Sequence, residues 1–372
     1  MKFELALSAL LAVSSVTDAS PVEFLNRKKK QNKAAASASS VSHSVSHSVS
    51  HSVAEPTATG ESTLRASNGT INIFGNATTL LNGNRSNRTA VGGETLQVIV
   101  AGGKVPITNR TAGSNYTTVS NTSRALNSTE LLNIATDLNS TLAEKNTKAG
   151  VVVTNSKSVE AFGFLSSLLF NTSKPIVISE DADLASIVAN STGAAGRGPL
   201  VVKDDGLVYS GLFSPTTGCE TDCSGIPVGA VSGNTTNFFF QPSVATFLSV
   251  NSTIRTNYTN FTNIESLAYS SPTVPILYDA DFSEYLVQGL AAAVQGLVVV
   301  SSNTTSSTLN SSSIPIVYAS PSAPLVSIAQ EDVPAGSIAA GYLTPVKAQV
   351  LLTVAIANGV TDLESLKAVF AN

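Results

Sequence analysis

Leu96-Gln97-Val98-Ile99-Val100-Ala101-Gly102-Gly103-Lys104 is the stretch that decides the fold. Residues 96–101 are apolar and rich in β-branched side chains, so they read as a strand. Two glycines end it and hand the chain to a polar loop. The segments that follow repeat the theme. Residues 127–144 read as a helix, with Leu131, Leu132, Ala135 and Leu138 on one face. Residues 150–154 form a second buried strand, 160–170 a helix, 175–179 a strand and 199–203 another. Continuous apolar strands separated by helices predict a parallel sheet covered on both faces. In such sheets ligands bind beyond the carboxyl ends of the strands. The loop after Gly102-Gly103 is therefore the first place to look for a site.

Further along, residues 251–272 are rich in Ser, Thr and Asn and read as a link to a second, smaller α/β domain. There, 274–278, 296–300 and 315–318 read as strands and 282–294 as a helix. Thr344 and Pro345 start a helix whose buried stripe is Ala348, Leu351, Leu352 and Ala355, and Asn358-Gly359 ends it. Thr361 and Glu364 predict a capping box for the final helix. The expected organisation is a signal segment at 1–19, a disordered Ser/His-rich segment at 20–92, and α/β domains at 93–265 and 266–372.

The N-terminal side carries a different signal. Lys2 precedes a short apolar stretch at 5–16, and Thr17-Asp18-Ala19 offers a small-residue cleavage site. That stretch is shorter than the ~20 apolar residues a bilayer span needs. Arg27-Lys28-Lys29-Lys30 is a processing site or an exposed linker. Residues 34–53 are of low complexity and end in a Val-Ser-His-Ser repeat, too poor in apolar area to offset the entropy of ordering. The repeat contains all three histidines, His43, His47 and His51. A weak metal tract and a sugar-coated linker both fit, and the lack of cysteine or carboxylate support favours the linker. A folded part without histidine excludes Ser-His-Asp and Cys-His chemistry and a His-ligated zinc. No metal site and no cofactor are expected.

Asn-x-Ser/Thr sequons are dense. They begin at Asn68, Asn76, Asn84, Asn87, Asn109, Asn115, Asn121, Asn127 and Asn139. The remainder are Asn171, Asn190, Asn234, Asn251, Asn257, Asn260, Asn303 and Asn310. Behind an export signal this density predicts a eukaryotic secretory glycoprotein, extracellular or held in a wall. Only 12% of residues are charged, against about 25% in an ordinary soluble domain, and sugar can replace the missing solubilising groups. The net charge of −4 gives no footprint for nucleic acid or an anionic membrane. Cell-wall components are the expected partners, and the oligomeric state is not legible. Cys219 and Cys223 predict a local disulfide that stabilises little, because its loop is small.

The carboxyl-edge motifs resemble those of L-asparaginases. That family opens its site with a strand and Thr-Gly-Gly-Thr, where this chain has Ala101-Gly102-Gly103-Lys104. A mobile loop with a tyrosine follows, and Ser114-Asn115-Tyr116-Thr117 resembles it. The family's second motif, Thr-His-Gly-Thr-Asp-Thr-Leu-Glu, is matched one residue short by Thr154-Asn155-Ser156-Lys157-Ser158-Val159-Glu160. The family's closing helix resembles the stretch from Gly341 to Ala348. The resemblance covers residues 95–372 and implies an asparaginase-like fold.

It also implies lost chemistry. The family attacks an amide carbonyl with a Thr hydroxyl, assisted by a second Thr, an Asp and a Lys. Here Lys104 takes the first nucleophile position and Lys157 the Asp position. Ser156 keeps a hydroxyl near the second Thr, and no Lys lies between Lys174 and Lys203. Lys104, Tyr116, Asn155, Ser156 and Lys157 thus mark a vestigial cleft, whose loop glycans at Asn109 and Asn115 crowd. Through the signal segment, 100–109, Lys174-Pro175-Ile176-Val177 and 207–211, the chain is similar to a small family of yeast secretory glycoproteins. Residues 293–297 and Gly341-Tyr342-Leu343 extend that similarity. Members are associated with nutrient limitation and ascospore-wall maturation. The expectation is a non-catalytic wall glycoprotein. Its rivals are a secreted asparaginase with a rearranged site and a module that binds a small amino acid through Tyr116.

Overall fold

In a computed structural model, the described residues are 94–105, 113–216, 225–242, 248, 252, 271–279, 289–301 and 313–371. The expected export signal at 1–19, the segment at 20–92 with its basic run and histidines, both cysteines and the expected 265/266 boundary lie outside them. So do the sequons at Asn68, Asn76, Asn84, Asn87, Asn109, Asn251, Asn257, Asn260, Asn303 and Asn310.

The quoted stretch is β1 (Thr95–Ala101). It lies between β2 (Ser114–Thr118) and β3 (Thr147–Thr154), and both pairings are parallel. β4 (Ile176–Ser179) and β5 (Pro199–Val202) continue in the same sense. Then the sense reverses. β6 (Leu207–Ser210), β7 (Gly229–Ser232) and β8 (Thr235–Phe238) are antiparallel, completing an eight-stranded sheet in the order β2-β1-β3-β4-β5-β6-β7-β8. The parallel sheet expected here is therefore mixed. The cause is loop length: β5 and β6 are joined by a tight turn closed by Gly206 N–H to Lys203 O at 2.9 Å. A parallel return needs a crossover of about a dozen residues.

Among the described residues, three helices cover this sheet. α1 (Ser128–Ala143) opens with a capping box between Asn127 and Glu130. α2 (Ser156–Leu169) starts four residues before the expected point and is buried along nearly its whole length. α3 (Ala182–Asn190), unread in the sequence, is capped by the Asp181 carboxylate. The strands divide their side chains by alternation. Leu96, Val98, Val100, Val151, Val153 and Val177 face the side of α3. Ile99, Ala101, Val152, Ile176 and Ile178 face α1 and α2.

The second sheet is four-stranded and parallel throughout, in the order β12-β11-β10-β9. Its strands are β9 (Ile276–Tyr278), β10 (Leu297–Val300), β11 (Ile316–Ala319) and β12 (Ile338–Ala339). α4 (Pro345–Ala357) and α5 (Leu363–Phe370) follow. The Thr344 hydroxyl accepts from Lys347 N–H at 3.2 Å, with Pro345 in the first turn as the sequence predicts. The box predicted from Thr361 and Glu364 does not form. Asp362 caps α5 by accepting from Ser365 N–H at 2.9 Å, and Glu364 pairs with Lys367 instead. The shorter carboxylate, one residue later, reaches the free N–H groups without help.

Leu351, Leu352 and Ala355 of α4 share one core with Phe162, Leu165 and Leu168 of α2 and with Val298 and Val317 of the small sheet. A helix apolar all round is one that is buried, and α4 sits between α2 and the second sheet. No helix among the described residues is long and apolar enough to cross a membrane.

Candidate functional site: the crevice between β1 and β3

Strand order places the crevice. The chain runs from β1 outward to β2 and back past β1 to β3, so the switch point lies beyond the carboxyl ends of β1 and β3. Gly102 and Gly103 occupy that end with φ of 133° and 74°, angles that side-chain-bearing residues rarely adopt. Both are also tightly enclosed. A Cβ on Gly102 would lie 2.7 Å from Thr122 O, and one on Gly103 2.6 Å from Glu180 O and 2.7 Å from Thr154 O.

What encloses Gly102 is the stretch after β2, drawn across the crevice. The buried Asn155 side chain donates both amide hydrogens to this stretch, to Thr122 O and Arg124 O at 2.9 Å each. Its Oδ1 accepts from Ser158 Oγ at 3.1 Å, and Ser158 Oγ accepts from Leu126 N–H at 2.9 Å. A second clasp lies outside. Arg124 makes a bidentate pair with Glu130, 2.8 Å from Nη1 to Oε2 and 2.5 Å from Nη2 to Oε1. Burial pushes the Glu130 carboxyl upward, but Arg124 and the Asn127 N–H outweigh it and hold the group below the ordinary carboxylate range. Sequence reasoning marked Asn155 but missed Glu130. Its spacing of three from Asn127, a capping-box signature, could have revealed it.

Of the other marked residues, Lys104 and Tyr116 engage partners away from Asn155. After Gly103 the chain crosses to β4, where Lys104 N–H donates to Glu180 O at 2.6 Å and Lys104 O accepts from Ala182 N–H at 3.1 Å. The Lys104 ammonium then pairs with Asp204 at 2.6 Å, in the open, 67% exposed. Its hydrogen bond to Asp204 raises its pKa, opposite to the lowering that activates a lysine nucleophile. Ser156 and Lys157 lie on the exposed first turn of α2. Lys174 is at the opposite, amino end of the strands, just before β4, donating to Leu142 O and Glu144 O at the end of α1. Lys203 faces Glu180 at 3.8 Å.

Tyr116, expected on a mobile loop, belongs to β2. It pairs in register with Val98 and packs on the core beneath α3. Val98 is four residues before Gly102, about 13 Å along a strand, so the phenol ring belongs to the sheet and not to the crevice. The loop was misread because Ser114-Asn115-Tyr116-Thr117-Thr118 is polar, and an edge strand needs little apolar surface. Asn115 moves with it. The exposed sequon beside the crevice is Asn121, next to the Thr122 carbonyl that Asn155 holds.

No protein-family model matches the chain. Protein YGP1 of Saccharomyces cerevisiae is 44% identical to it over 378 residues, covering 100% of both chains. The chain belongs to the YGP1 family. A sporulation-specific wall maturation protein of the same yeast is 39% identical over 301 residues, 75% of this chain and 90% of that one. L-asparaginase 2-3 of the same yeast is more distant, 25% identical over 340 residues, 81% of this chain and 89% of its own. Among solved structures, a probable cytoplasmic L-asparaginase from Campylobacter jejuni superposes with a TM-score of 0.58 at 19% identity. That match covers 74% of this chain and 99% of the bacterial one. The fold of this YGP1-family chain is asparaginase-like.

One residue of the resembling motifs, Glu160, takes part in a structural joint in this YGP1-family chain. Glu160, 1% exposed, accepts from the Thr344 hydroxyl at 2.6 Å and lies 4.0 Å from Lys347 Nζ. Lys347 Nζ also donates to Ser214 O at 2.8 Å. Burial lowers the Lys347 pKa, and the Glu160 charge opposes that shift. This cluster ties α2 to the N-terminus of α4 inside the shared core.

Proposed function

We propose that this protein is a secreted, non-enzymatic cell-wall glycoprotein that serves wall adaptation to nutrient limitation or spore-wall maturation. The wall role is carried by its kinship to a relative whose name is sporulation-specific wall maturation protein. Its poverty of charge and its sequon density fit a surface clothed in sugar. All seven sequon asparagines among the described residues, Asn115, Asn121, Asn127, Asn139, Asn171, Asn190 and Asn234, are exposed.

The non-enzymatic half rests on the closed crevice. Amide hydrolysis needs room for the carbonyl beside an activated nucleophile. The Asn155 bonds hold backbone against Gly102, where the resemblance to asparaginases would put the site, and Lys104 is paired in solvent with a raised pKa. A sugar on Asn121 would add bulk on the outside of the same place.

Fractionation of a culture expressing the tagged full chain tests the wall role. Nutrient-limited cells are expected to carry the protein in the wall and the medium, with enzymatic deglycosylation lowering its apparent mass. Retention inside the cells, or an unchanged mass on deglycosylation, would overturn the proposal.

A further inference from the structure

Away from the crevice, α3 and the β7–β8 hairpin enclose a groove of about 690 Å³. That lies within the ~300–1,000 Å³ of pockets that hold small ligands. The lining is polar: Asp183, Ser191, Thr192 and Thr235 bring a carboxylate and hydroxyls, and Ile187 gives an apolar strip. Such a mixture suits a sugar, which offers hydroxyls on its rim and C–H groups on its faces.

Two lining residues are sequon asparagines, one on each wall. Asn190 ends α3 and Asn234 sits in the hairpin turn, and both are exposed. Lys148 Nζ lies 3.3 Å from Asn190 Oδ1 and 3.5 Å from Asn190 O. The carbonyl side of the Asn190 amide is thus engaged, and Nδ2, the atom that carries sugar, is left to the opposite side. The walls are braced against each other. Arg197 lies over the Phe238 ring at 4.1 Å, its Nε donates to Gly193 O at 2.5 Å, and a Cβ on Gly193 would meet that ring at 2.9 Å.

We infer that this groove seats the inner sugars of N-glycans carried by its own walls at Asn190 and Asn234. Each attachment uses a lipid-linked oligosaccharide pyrophosphate as donor. The asparagine Nδ2 forms a bond to the sugar C1, the bond from C1 to the pyrophosphate oxygen breaks, and the amide loses one proton. A tethered sugar has an effective concentration in the millimolar range, which weak polar contacts in the groove can exploit. The seated sugars shield the end of the sheet at the β8 edge. This inference rests on the glycoprotein reading proposed above.

The test uses the full chain, secreted from a yeast host that keeps its glycans of the high-mannose type. Site-resolved mass spectrometry follows release by an endoglycosidase, first from native and then from denatured protein. Asn139, on an exposed face of α1, is the internal reference. Asn190 and Asn234 are expected to be occupied and to release about tenfold more slowly than Asn139 in the native state, the ratio given by 1.4 kcal/mol of docking. The difference should vanish on denaturation and shrink in Asp183→Ala. Equal native release at all three sites, or bare Asn190 and Asn234 beside an occupied Asn139, would overturn the inference. Bare asparagine at every sequon would instead sink the glycoprotein reading beneath it.

Discussion

Lys347→Ala is expected to destabilise the fold by about 3–5 kcal/mol, the usual cost of removing one partner from a buried ion pair. Lys347 is 4% exposed and Glu160 1%. Truncating the lysine leaves the Glu160 carboxylate with the Thr344 hydroxyl but without its nearby positive charge, and leaves Ser214 O without its donor. Glu160→Ala should cost a similar amount, because it strands the ammonium. Replacing both by methionine is expected to recover most of the loss, since a well-packed apolar pair often equals or exceeds a buried charged one. Urea unfolding of the three variants checks this. Single variants within about 0.5 kcal/mol of the parent would show an exposed, loosely held pair.

Asn155→Ala is expected to have the next largest effect, and its character is local. Thr122 O and Arg124 O, both in part-buried bonds, lose their donors, at up to about 1–3 kcal/mol for each carbonyl left unpaired. With the Asn155 bonds gone, the segment before α1 keeps the Leu126 N–H bond to Ser158 Oγ and the Arg124–Glu130 pair, an exposed contact of small worth. Trypsin should then nick the native variant after Arg124 much faster than the parent, because cleavage follows the open population. Asn155→Asp should behave worse at neutral pH, since a carboxylate can only accept and would face two carbonyls. Burial raises the folded pKa of that introduced acid above its unfolded value. Its stability deficit is therefore smallest below the unfolded pKa and grows as pH rises through the folded one. Parent-like tryptic resistance in Asn155→Ala would refute the clasp.

The strands of the central sheet were legible because burial on both faces writes an unbroken apolar run. β1, β3 and β5 announce themselves in this way, and α4 does so through Thr344-Pro345 and Asn358-Gly359. β2 and β6 to β8 were not legible. β2, β7 and β8 lie at or near an edge, are partly exposed and carry Ser, Thr or Asn, so composition alone resembles a loop, whereas β6 is mostly buried but only four residues long. The Asp181 cap of α3 was available in the sequence and went unread. At the site, the glycines and Asn155 could be marked from the chain. Their partners could not, because Asn155 meets Thr122 and Arg124, Lys104 meets Asp204, and Glu160 meets Thr344 across 31 to 184 residues. Motif resemblance locates such residues along the chain, while topology decides what they touch. Tyr116 shows the difference: its motif points to a loop over the crevice, and the ladder with β1 makes it part of the sheet's edge strand.

Ammonia release tests the closed crevice and the proposed lack of amidase chemistry most directly. The purified full chain is incubated with asparagine and with glutamine beside an authentic asparaginase and a mock purification. No release above the mock preparation is expected, both before and after enzymatic removal of the glycans. Release above it that disappears in Lys104→Ala or Ser156→Ala would contradict the reading and make the protein an amidase with a rearranged site.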